Sequence, residues 1–190
     1  MKTIKENVNN EIIIKNSRFI TYLIKLNDNN INNLLDELKT KYPKANHYCY
    51  AYIYNNEKHS SDDKEPSNTA GLPMLNVLEK EELNNILAVT IRYFGGIKLG
   101  AGGLVRAYTK SITETLKEST LIELEEGYKL ELIFNYNQEK QINYILKEST
   151  ILNKEFDNEI KYIVLVNNNT LDNLKEYNYK IIDNILIEKR

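Results

Sequence analysis

The stretch ILAVTIRYFGGIKLGAGGLVRAY (86–108) limits this chain's fold more than any other. Its first nine residues, 86–94, are almost continuously apolar, which predicts a central strand buried on both faces rather than an alternating, half-exposed one. Five of the chain's seven glycines follow directly, Gly95, Gly96, Gly100, Gly102 and Gly103, and a helix is predicted from about Gly102 to Ser119. Crowded glycines between a buried strand and a helix serve positive φ and tight helix-on-sheet packing. They also let an anion approach the unpaired amides of the helix start. The string matches neither the P-loop nor the dinucleotide fingerprint, so packing alone is the simpler reading.

The 190 residues are enough for two small domains. Hydrophobic content of 42% and charged content of 27% are those of a soluble globular protein. No apolar run is long enough for a membrane span. The N-terminus shows no secretory pattern, and a lone Cys49 excludes an internal disulfide, so a cytoplasmic location is expected. Basic and acidic side chains balance over residues 1–125, and the remainder is slightly acidic, for a net charge of −2. Contact with nucleic acid would therefore need a local patch. Asn, Ile, Lys and Tyr are abundant and Trp is absent, as in an AT-rich genome, so the scattered asparagine pairs read as compositional drift.

Two patterns meet near residue 126. In the first domain, 1–125, strands are expected at 11–15, 18–26, 46–54 and 86–94. Asp28 is placed to N-cap a helix carrying Ile31, Leu34, Leu35, Leu38 and Tyr42, and a second helix should start near Pro73 after a polar loop, 55–70. In the second domain, 126–190, the order is strand, helix, two strands, helix, strand, a βαββαβ unit of ferredoxin-like type. The fold class is α+β.

Four groups of residues bear chemistry. Lys98 and Arg106 flank the glycine stretch, and Arg106, Lys110, Thr113 and Lys117 share one helix face that suits phosphate, though such faces are usually only solvated. In SSDDKEPSNTAGLPML (60–75), Asp62, Asp63 and Glu65 could hold a hard cation or equally complement the following helix, with Ser67 or Thr69 supplying a turn or capping oxygen. In NHYCYAYIY, period two sets Tyr48, Tyr50, Tyr52 and Tyr54 on one face, as stacking groups or as ordinary strand formers. His47 and Cys49 share the other face, but no third group orients them as a nucleophilic pair.

DDKEPSNTAGLPML followed by IRYFGGIKLGAGGLVRAY resembles the YigZ/IMPACT family, and SRFI (17–20) and the strand opening at His47 also fit. The resemblance is strong over about residues 1–125 and rests on long, ordered motifs that include Asp62, Asp63, Glu65, Pro66, Thr69 and Gly71. It implies an N-terminal domain similar to the second domain of a small-subunit ribosomal protein and to elongation factor G domain IV. It also implies a C-terminal domain similar to domain V of that factor. Eukaryotic members of the family regulate translation through protein contacts. The implied role is a non-enzymatic, translation-associated regulator that binds RNA, the ribosome or a translation-related protein, with no catalytic residues, no cofactor and no bound metal. A nucleotide- or phosphate-binding enzyme using the Gly100–Gly103 loop is the alternative. Family members usually carry glycine where this chain has Lys64 and Asn68, so the loop is expected to be reshaped there.

Overall fold

The apolar run forms the middle strand of a five-stranded antiparallel sheet, as its lack of alternation requires. The computed structural model describes residues 1–189, and contacts divide the chain into two units, Met1–Ile122 and a second from Glu123 onward. In order, the first contains β1 (Lys2–Ile4), β2 (Val8–Ile14), β3 (Ser17–Lys25), α1 (Ile31–Lys41), β4 (His47–Tyr54), β5 (Glu57–Ser61), α2 (Gly71–Lys80), β6 (Ile86–Tyr93) and α3 (Ala101–Lys117). The sheet order is β2-β3-β6-β4-β5. Every residue of β6 from Ile86 to Arg92 is buried, because helices cover both faces.

One face carries α2 and α3 over a core of Phe19, Leu23, Cys49, Ala51, Ile53, Met74, Leu78, Leu104, Tyr108 and Ile112. The other carries α1, whose Ile31, Leu35 and Leu38 pack on Ile20, Ile24, Leu87, Val89 and Ile91. Inside the first core, Thr21 hydrogen-bonds Thr90 at 2.8 Å and also contacts Ser111 of α3, so the buried hydroxyls satisfy one another.

Several local expectations change. The stretch read as a polar loop contains β5, an edge strand paired with β4 across Tyr54 and Glu57. The two intervening residues are an asparagine pair, Asn55 and Asn56, at φ 45° and 69°. That is the turn a two-residue hairpin demands, so this pair is structural rather than drift. A second pair fastens it: the Asn84 side-chain amide donates to Asn56 Oδ1 at 2.8 Å, and Asn85 Oδ1 accepts from the Asn55 N–H at 3.1 Å. Lys15 and Asn16, at φ 45° and 63°, turn β2 into β3 in the same way. Asp28 does not cap α1; Asn30 holds the N-cap position without a side-chain hydrogen bond. β1 was not expected, and its Lys2 exchanges backbone bonds with Glu82 and Asn84.

The second unit begins within β7 (Leu121–Phe134) and continues through a 3-10 turn (Tyr136–Gln138), α4 (Glu139–Ile145), β8 (Thr150–Phe156), β9 (Ile160–Asn167), α5 (Asn168–Asn173) and β10 (Asn178–Glu188). Its strands lie antiparallel in the order β10-β7-β9-β8. Alternate residues of β7 and β9, among them Leu130, Leu132, Phe134, Tyr162 and Val164, are buried with Ile142, Leu146 and Leu174. Asn167 caps α5 by accepting from the Thr170 N–H at 2.9 Å. The molecule is thus α+β with two sheets. Among the described residues no helix is long and apolar enough to cross a membrane.

Candidate functional site

The loop from Asp62 to Ala70 joins β5 to α2, and its carboxylates go to separate tasks. Asp62 Oδ1 accepts from the N–H groups of Ala70 and Gly71, each at 2.9 Å, and its Oδ2 accepts from Asn68 N–H at 2.8 Å. It therefore satisfies the orphan amides at the start of α2, as an anion there should. Asp63 Oδ2 accepts from the Tyr48 N–H at 2.6 Å. Thr69 is no cap; its hydroxyl donates to the Pro66 carbonyl at 2.5 Å. Among the described residues no group of three or more His, Cys, Asp and Glu side chains is placed to hold a metal ion. Lys64 and Asn68 take φ of 70° and 60°, so both stand in the left-handed region that glycine adopts freely.

Glu65 turns inward. It is 8% exposed, and its Oε1 accepts from Arg92 Nη1 at 2.5 Å and from the Tyr108 hydroxyl at 2.9 Å. Arg92 is itself only 5% exposed. Its Nη2 donates to Ser17 Oγ at 3.4 Å, and its Cζ lies 5.4 Å from the Phe19 ring centre and 5.7 Å from that of Phe94. Arg92 Nε is buried with no hydrogen-bond partner among the described residues. His47 Nδ1 lies 2.8 Å from the Asp63 carbonyl, and its Nε2 lies 3.9 Å from Glu65. This network ties the acidic motif to the end of β6 and to α3. Sequence reading passed over Arg92, although a charge closing a fully buried strand demands a buried counter-charge.

Cys49 belongs to the same network. Its thiol sits 3.0 Å from the Asp62 carbonyl and 3.3 Å from the Tyr108 hydroxyl. Burial pushes the Cys49 thiol and the Tyr108 hydroxyl well above their ordinary ranges. A thiol so held is no thiolate, and His47 is bonded elsewhere.

The glycine stretch answers two separate demands. A Cβ on Gly95 would stand 2.0 Å from the Asn16 carbonyl carbon, so this residue exists for close approach to the β2–β3 turn. Its N–H donates to Ser17 Oγ at 3.1 Å. Gly100, the N-cap of α3, holds φ at 73°. No acidic residue occupies the first turn of α3, no side chain caps it, and among the described residues nothing accepts from the Gly102 and Gly103 N–H groups. Arg106 folds back over this turn: its Nη1 lies 3.6 Å from where a Gly102 Cβ would be. Lys98, Arg106 and Lys110 are exposed and form no ion pair among the described residues. Lys117, on the same face, pairs with Glu114 at 2.9 Å. That bond, and more weakly the charge of Lys110, holds the Glu114 carboxyl below its usual range.

Tyr48, Tyr50, Tyr52 and Tyr54 do share a face, the one α1 covers, and all four are half-buried. Tyr48 donates to the Tyr42 carbonyl at 2.5 Å, and Tyr50 and Tyr52 both contact the His59 ring, at 5.7 and 5.6 Å between centres. Burial, followed by the Tyr22 hydroxyl, raises Tyr42 to about 12. The tyrosines and the α3 cations thus lie on opposite faces of one sheet, not on one platform.

One family model covers these motifs together. The family model for the Impact N-terminal domain matches residues 15–116. The chain belongs to the IMPACT family. It is 41% identical over 157 residues to the IMPACT family member YvyE of Bacillus subtilis, covering 80% of this chain and 72% of that protein. An IMPACT family member of Haemophilus influenzae is 36% identical over 174 residues, 84% of this chain and 81% of that one. A crystal structure described as that of a hypothetical protein is 27% identical, covers 100% of this chain and 98% of its own, and superposes with a TM-score of 0.68. The matched IMPACT segment spans the Glu65–Arg92–Tyr108 network and the glycine stretch together.

Proposed function

We propose that this chain is a non-enzymatic, translation-associated binding protein acting in the cytoplasm. It docks an anionic partner, either RNA and ribosome or a translation-related protein, on the edge formed by Lys98, Gly100, Gly102, Gly103, Arg106 and Lys110. The observation that carries this reading is the start of α3, where two N–H groups lack acceptors and the Arg106 guanidinium lies over the same turn. Positive helix ends and unpaired cations favour anions. Membership of the IMPACT family supports the link to translation, which the family resemblance implies.

The two units support the domain reading. The antiparallel order β10-β7-β9-β8 is the arrangement of a ferredoxin-like βαββαβ domain, consistent with residues 126–190 being similar to elongation factor G domain V. Residues 1–125 are then the IMPACT-type domain, similar to domain IV and to the ribosomal protein's second domain.

Co-sedimentation of the full chain with ribosomes, titrated with KCl, tests the proposal. Retention should fall steeply with salt and fall further in Arg106→Ala. Retention indifferent to salt and to Arg106 refutes the docking edge, and no retention at any ionic strength removes RNA and ribosome as its partner and leaves only the protein.

A further inference from the structure

Two large apolar side chains stand in solvent on the loop that feeds α3: Phe94 is 47% exposed and Ile97 is 46% exposed. Phe94 lies on the α3 side of the sheet, since its ring rests 5.7 Å from the guanidinium carbon of Arg92, whose Nη1 reaches Glu65. Ile97 lies between Gly96 and Gly100, both exposed and at positive φ, while Leu99 of the same loop packs on the core. Lys98 follows at once, and Arg106 and Lys110 stand on the adjoining helix. Two exposed apolar side chains and one exposed cation thus share this loop, and two further exposed cations follow on α3.

We infer that the partner at this edge is an acidic protein segment that also carries large apolar side chains. The inference rests on the anion-docking reading above and names the partner's chemistry. Charge complementarity selects acidic groups for Lys98, Arg106 and the open amides of α3. Phe94 and Ile97 need apolar partners, and a hydrophobic centre with a polar rim is the usual anatomy of a protein interface. A single strand of nucleic acid fits less well. The stacking tyrosines lie across the sheet on the α1 face, so one strand cannot meet them and the α3 cations together.

The test selects binders to the full chain from a randomised peptide library and, in parallel, from a randomised RNA library. Peptides enriched in Asp and Glu together with Phe, Leu or Ile are expected. Their affinity should drop at least about tenfold in Ile97→Ser and in Arg106→Ala, each confirmed folded by circular dichroism. Phe94→Ser should show the same loss, and Ile97→Ser protects the conclusion if uncovering Arg92 weakens the fold. Peptides that bind Ile97→Ser as well as wild type overturn the inference, as does the absence of any enrichment over that variant. RNA whose binding depends on Arg106 but not on Ile97 also overturns it while leaving the docking edge standing. Loss of every Arg106-dependent binder, peptide and RNA alike, removes both.

Discussion

A Cβ added at Gly102 would meet only Arg106 Nη1, at an ordinary contact distance, in a backbone that is already helical. The fold therefore does not require glycine there, in contrast to Gly95, where any side chain would strike the Asn16–Ser17 backbone. Gly102→Ala should stabilise the chain by about 0.4–1 kcal/mol in urea unfolding, since alanine restricts the unfolded chain and favours helix. Under the docking proposal the same variant should hold ribosomes less well. Lost stability instead would mean the turn is tighter than it looks. Lys64 presents the opposite case, a bulky residue kept at φ 70°. Relieving that strain, less the entropy glycine brings to the unfolded state, predicts a gain of roughly 0.5–1 kcal/mol for Lys64→Gly. Asn68→Gly should gain less, because asparagine accepts this conformation readily.

Between elements, the Glu65–Arg92–Tyr108 network clamps the loop before α2 to the end of β6 and to α3. Replacing Arg92 by leucine leaves a buried carboxylate without its counter-charge and should cost about 3–5 kcal/mol, read as a lower urea midpoint. The buried Cys49 and Tyr108 make the clamp sensitive to alkali. Both are neutral when protonated, and burial lets the folded state keep their protons to higher pH than the unfolded chain does. Above the ordinary thiol value, about 9, the unfolded state binds fewer protons, so unfolding free energy falls as pH rises. The urea midpoint should be insensitive to these groups below about pH 8 and decline above about pH 9. In Cys49→Ala the decline should begin about one unit later, where tyrosine ionises. An alkaline limb identical in that variant would show that the thiol plays no part.

For the whole molecule, a net charge of −2 and three unpaired cations at one edge predict weak electrostatic leverage. A plot of log affinity against log salt for a single-stranded RNA should have a slope no steeper than about −2. A markedly steeper slope would show that cations outside this edge take part.

The mixed α+β class, the buried central strand and the IMPACT motifs were all legible in the residues themselves. Apolar continuity, period-two alternation and glycine clustering are one-dimensional patterns, and each reflects the local environment of its own segment. β5 was hidden because Glu57–Ser61 is an edge strand of polar residues, recognisable only by its pairing with β4. Asn55-Asn56 looked like drift until its hairpin and its bonds to Asn84 and Asn85 came together. That Glu65 meets Arg92 and Tyr108, and that the sheet separates the tyrosines from the α3 cations, depends on residues distant in sequence. Such meetings were decided by the tertiary structure, because a buried charge finds its partner only where the packed chain brings one within reach.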